Sequence, residues 1–162
     1  MNTKLTAVIL LASAVVLAQD DHHGAVEKRG DHVMGFSHEK TTHHFRLFAD
    51  GGAIEVTSND PKDTATRDQI RMHLSHIAAM FAEGNFRAPM LIHDRVPPGV
   101  PVLQRLKSEV SYRFEEIEGG GRVRIATKNK EALAAVYDFL RFQIADHRTG
   151  DIEGITEATG AK

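Results

Sequence analysis

Apolar and polar positions fall into one pattern that occurs twice, with a proline-rich stretch between the two copies. Residues 42–48 (Thr-His-His-Phe-Arg-Leu-Phe) predict a strand, with Phe45 and Leu47 on the parity of a core face. Asp50-Gly51-Gly52 predicts a hairpin turn, because Asp-Gly pairs favour the positive φ angles such turns need. Residues 53–57 alternate and return as a second strand, which Asp60-Pro61 ends. A helix is predicted from about Thr64 to Glu83. Asp63 is its N-cap, Gly84 its terminator, and Ile70, Leu74, Ile77 and Phe81 its apolar stripe.

The second copy follows the same order. Residues 110–114 predict a strand, Gly119-Gly120-Gly121 a turn, and residues 122–127 the returning strand. Asn129 caps a helix over about 130–146, whose stripe is Leu133, Val136, Tyr137, Leu140 and Ile144. Gly51 to Val56 matches Gly120 to Ile125 in pattern. A duplication and the shared grammar of a hairpin followed by a helix both account for the match. Between the copies, Pro89, Pro97, Pro98 and Pro101 exclude a long regular element before Val102, and a short helix is predicted over 102–107.

The expected fold is α+β, ββα-connector-ββα: a four-stranded antiparallel sheet with two helices packed on one face. The opposite face then carries Thr42, His44, Arg46 and Glu55, with Phe48 as an apolar exception. Residues 42–148 form the expected single domain. Residues 19–41 read as a polar, His-containing arm and residues 149–162 as a disordered tail.

The first 18 residues belong to targeting rather than to the fold. A short start with one Lys precedes 13 uncharged residues, and Val16-Leu17-Ala18 offers small residues at the −3 and −1 positions of a cleavage site. About 20 residues are needed to span a bilayer as a helix. The expectation is a signal peptide cut after Ala18 and a periplasmic or secreted product, with no transmembrane segment in the mature chain.

Composition removes several classes of function. The 162 residues hold 20 Lys and Arg against 22 Asp and Glu, so no polybasic footprint for nucleic acid exists. The absence of Cys excludes disulfides, thiol catalysis and Cys-type zinc sites. No nucleophile elbow, Walker loop or dinucleotide fingerprint is present.

Ten His are the one compositional excess. His73 and His76 stand three apart on the predicted first helix, His73 within its apolar stripe. His43 shares the core parity of Phe45 and Leu47, and His93 lies in the connector. A helix packed on its own hairpin brings His73 or His76 towards His43, because sequential elements tend to be neighbours. His43, His73, His76 and His93 are therefore the candidate metal ligands, suited to Zn or Cu as N-donors. Met72 and Met80 flank His76 at i−4 and i+4, and thioethers tilt the choice towards Cu(I). His147 and His22 stand outside this set. The spacing His73-Leu74-Ser75-His76 is not the His-Glu-x-x-His of a zinc protease. The competing account makes these histidines structural, each hydrogen-bonded within the fold.

The runs 34–45, 69–77 and 139–151 resemble a family of small exported bacterial proteins of unknown function. The likeness implies export and one compact unit and transfers no catalytic residue. Two functions follow from the sequence. One is an exported protein that binds a transition metal or haem-like ligand through histidines. The other is a non-catalytic module that meets a protein partner in the envelope.

Overall fold

The computed structural model describes residues 21–157. The expected leader and the last five residues of the expected tail lie outside them. The chain forms an α+β fold with five α-helices among the described residues: α1 (21–34), α2 (Thr64–Ala82), α3 (Arg87–His93), α4 (Val100–Arg105) and α5 (Lys130–His147). The strands are β1 (Thr41–Phe48), β2 (Gly51–Ser58), β3 (Val110–Ile117), β4 (Gly120–Thr127) and β5 (Ile155–Thr156). No helix among the described residues is long and apolar enough to cross a membrane.

The sheet departs from expectation in detail. It has five strands in the order β3-β4-β2-β1-β5, and it is mixed. The four long strands are antiparallel, whereas β5 runs parallel to β1. The tail therefore does have a structural role. Asp151 accepts the outward backbone N–H of Phe45 at 2.9 Å, and Thr156 Oγ1 donates to the Leu47 carbonyl at 3.2 Å. These bonds cover an edge strand that otherwise exposes unpaired backbone groups.

The repeat is structural. Each strand of the second hairpin begins 69 residues after its counterpart, Thr41 to Val110 and Gly51 to Gly120. The hairpin registers agree as well, with Thr41 opposite Ser58 and Val110 opposite Thr127. Where the two hairpins join, Ile54 of β2 pairs with Val123 of β4, its own counterpart, so a pseudo-twofold axis passes through that pair.

Both long helices cover the same face, but each crosses to the other hairpin: α2 packs on β3 and β4, α5 on β1 as well as β2. Two glycines allow the approach. A Cβ at Gly52 would stand 2.3 Å from Leu140 of α5, and one at Gly121 would stand 3.2 Å from Leu74 of α2. Asp63 and Asn129 cap the helices as expected, each accepting backbone N–H groups of the first turn. On the outer face, the buried carboxylate of Glu55 accepts from Arg46 at 3.1 Å and from Arg122 at 2.7 Å. The Arg124 guanidinium lies 4.9 Å over the Phe48 ring, which explains that apolar position.

Two segments are more ordered than their composition implies. Residues 21–34, within the expected arm, are helical. Val26 and Gly30 are buried, and Val33 and Met34 pack on the core. A stripe at i, i+4 and i+7 is enough to dock a helix on existing apolar surface. In the connector, Pro89 and Pro101 fall in the first turns of α3 and α4, where a missing N–H costs little.

Candidate functional site

The crossing of the helices decides which histidines meet. His43, on the core face of β1, faces the end of α5. Its ring lies parallel to that of His147, with centroids 6.1 Å apart and an interplanar angle of 2°. His147 also packs on Phe45 at 5.6 Å and meets His93 edge-on at 5.0 Å. Phe36 stands between His43 at 6.4 Å and His73 at 5.6 Å.

These side chains surround three adjoining spaces. An inner chamber of about 70 Å³ lies between the sheet and the helices. Phe45, Phe81 and Phe139 contribute to its walls, and His43, His73 and His147 all reach it. An antechamber of about 230 Å³ beside α1 holds His23, His38 and His44, and it shares His43, His147 and Met34 with the inner chamber. A groove of about 410 Å³ along α2 shares His73 and Met34 with it. Met34, from the end of α1, thus borders all three.

The electrostatics of the chamber follow from burial. Desolvation, with His73 and other histidines nearby, lowers His43 to about 4. Burial and His76 lower His73 to about 4, and burial with His93 and His43 lowers His147 to about 3. All three rings are neutral at neutral pH. The Nε2 atom of His43 is buried and has no hydrogen-bond partner.

His93 is engaged differently. Its Nδ1 lies 2.6 Å from Asp146 Oδ2 and its Nε2 lies 2.9 Å from Gln143 Oε1. Burial lowers its pKa, while both hydrogen bonds act to raise it. Asp146 is a hub that also receives Arg95 at 2.9 Å and His22 at 3.0 Å. Its desolvation favours the neutral acid, yet the bonds from His93 and His22 hold its carboxyl below the usual carboxylate range. A neutral His93 donates to Asp146 from Nδ1, and a Gln143 amide turned towards it then donates to Nε2. In either amide orientation one polar atom of Gln143 lacks a partner, and Gln143 lines the inner chamber.

The four candidate ligands are thus divided. His43 and His73 border the chamber from β1 and α2, His76 lies exposed in the outer groove, and His93 spends both ring nitrogens on Asp146 and Gln143. Among the described residues, no group of three or more His, Asp or Glu side chains is arranged to hold a metal ion.

Sequence reasoning passed over His147, Gln143 and Met34. A signal for the first existed, since His147 lies seven after Leu140 and three after Ile144 and so continues the apolar stripe of α5. Gln143 carried none, because its place next to His93 depends on how α3 docks.

No protein-family model, no curated protein and no solved structure matches this chain, so the resemblance to small exported bacterial proteins rests on its three motif runs alone.

Proposed function

We propose that this chain is an exported protein that binds a small, uncharged, hydrogen-bonding molecule in the histidine-walled chamber. One observation carries the reading. His43 and Gln143 each keep a buried polar atom without a partner, and both residues line the chamber beside His73, His147 and the phenylalanine walls. A buried polar atom left unpaired costs about 1–3 kcal/mol. A ligand that bonds both groups and covers the phenylalanine walls recovers that cost.

The neutral rings specify the ligand's charge. An organic ion of either sign would find no countercharge among His43, His73, His147 and Gln143, so it would lose its hydration uncompensated. The antechamber, with His23, His38 and His44, adjoins the chamber beside α1.

Acetamide and isopropanol are suitable probes, titrated into protein labelled with ¹⁵N at histidine. The imidazole resonances of His43 and His147 should shift and saturate, those of exposed His76 should not, and His43→Phe should abolish the response at His147. Equal, unsaturable shifts at all histidines would overturn the chamber as a binding site. Export is tested separately: the mass of the periplasmic product should correspond to Gln19 as first residue, and a product starting at Met1 would refute it.

A further inference from the structure

The groove along α2 has a different chemistry from the chamber, and we infer that it binds copper(I) through methionine sulfur and histidine nitrogen. Met72, His76 and Met80 follow one another at intervals of four on α2, so their side chains stack along one line of the helix. All three border the groove, together with His73 and, from α1, Met34. The residues that border the groove thus include two imidazoles and three thioethers, from two helices.

The surroundings select among metals. Among the described residues, neither a carboxylate nor a thiolate borders the groove. Its remaining walls are Val33, Ile77, Ala88 and Leu91, and its one charged neighbour is the cationic Arg87. A divalent, harder ion such as Zn²⁺ finds no anionic ligand there. A soft monovalent ion needs none, and thioether with imidazole is a ligand set that favours Cu(I). Methionine suits such a site because its three rotatable bonds let sulfur reach the ion without backbone movement.

Two features of the free side chains agree with this role. Met72 is 72% exposed, so its apolar side chain does not serve the core. His76 is exposed, and His73 borders the groove one turn before it on the same helix. Neither ring is tied up as His93 is, by a hydrogen-bonding carboxylate and amide.

The inference does not rest on the chamber, because Met72, His76 and Met80 border the groove and not the chamber. The untagged chain should be titrated anaerobically, under ascorbate, against the Cu(I) complex of bicinchoninate. It should withdraw one Cu(I) per chain, and X-ray absorption fine structure should show both sulfur and nitrogen scatterers. His76→Gln should weaken binding at least tenfold and the double variant Met72→Leu, Met80→Leu at least a hundredfold. His43→Phe should leave Cu(I) affinity unchanged. Met72 and His76 are exposed, whereas Met80 packs partly on the core, so unchanged far-UV circular dichroism of each variant is required before the affinities are compared. Three outcomes would each overturn the site: no withdrawal of Cu(I), an absorption spectrum without sulfur, or undiminished affinity in the Met72→Leu, Met80→Leu protein. Displacement of Cu(I) by equimolar Zn²⁺ would do so as well.

Discussion

The pseudo-twofold gives the sheet two equivalent ends, and they have been furnished oppositely. At one end Tyr112 of β3 meets Phe81 of α2 edge-on at 5.6 Å, and Phe86 and Phe139 complete an aromatic cluster. At the other end His43 of β1, the counterpart of Tyr112 at the 69-residue offset, meets His147 of α5 at 6.1 Å. The same backbone arrangement carries a phenyl cluster beside Tyr112 on one side and stacked imidazoles beside His43 on the other, and Phe81 and Phe139 of the cluster also wall the chamber. Both ends keep buried polar atoms without a partner, the Tyr112 hydroxyl at one and His43 Nε2 with one end of the Gln143 amide at the other. The difference lies in the side chains: phenyl packing beside Tyr112 at one end and neutral imidazoles beside His43 at the other. The Tyr112 end encloses no comparable set of titrating groups, and burial only pushes its phenol further up.

The sharpest way to break this comparison is to truncate the packed end. Phe81→Ala should cost about 3–5 kcal/mol, the range for a large aromatic side chain removed from a core. Urea denaturation would measure it. A loss below about 1 kcal/mol would show that the aromatic end is not the stabilising one.

Acid should act through the opposite end. His43, His73 and His147 have folded pKa values below the 6.5 of an unfolded histidine. Between about 4 and 6.5 the unfolded chain therefore binds more protons, so stability is full above 6.5 and falls as the pH drops through that window. Each ring contributes at most ~1.4 kcal/mol per pH unit. Denaturation midpoints between pH 7 and 4.5 should fall steeply, and less steeply in His43→Phe. An unchanged slope in that variant would remove His43 from the account.

Asp146→Asn should cost about 1.5–3 kcal/mol, since hydrogen bonds to a charged group are among the stronger ones. It should also weaken the docking of α1, which reaches Asp146 through His22. Faster amide exchange over 21–34 would report this, with exchange in β3 and β4 unaltered.

The smallest effects should be gains. Tyr112→Phe and His43→Phe each remove a buried atom that has no partner, and each should raise stability by about 1 kcal/mol. Thermal unfolding at pH 7 tests both. Only His43→Phe should also lose the response to acetamide, and a shared response would erase the distinction between the two ends.

Much of this architecture is legible along the chain. Alternation in 42–48 and 122–127, the Asp-Gly turn, the stripes of α2 and α5 and the caps Asp63 and Asn129 are local signals, because a strand or helix must present one apolar face whatever it packs against. The doubled pattern is local too, and its constant offset carries through to the register. What the sequence did not contain was the crossing of the helices. Sequential adjacency placed α2 on its own hairpin and so brought His73 or His76 towards His43; of the two, His73 borders the chamber with His43. The approach of Leu140 to Gly52 and of Leu74 to Gly121 instead sends each helix across the twofold, and His147 takes the place beside His43. Likewise, the polar composition of 21–34 and 149–157 does not disclose that Val26 and Asp151 have buried partners waiting for them. Hydrophobic periodicity is written residue by residue, whereas the meeting of histidines from β1, α2, α3 and α5 depends on contacts distant in sequence, and those exist only once the two hairpins have joined into one sheet.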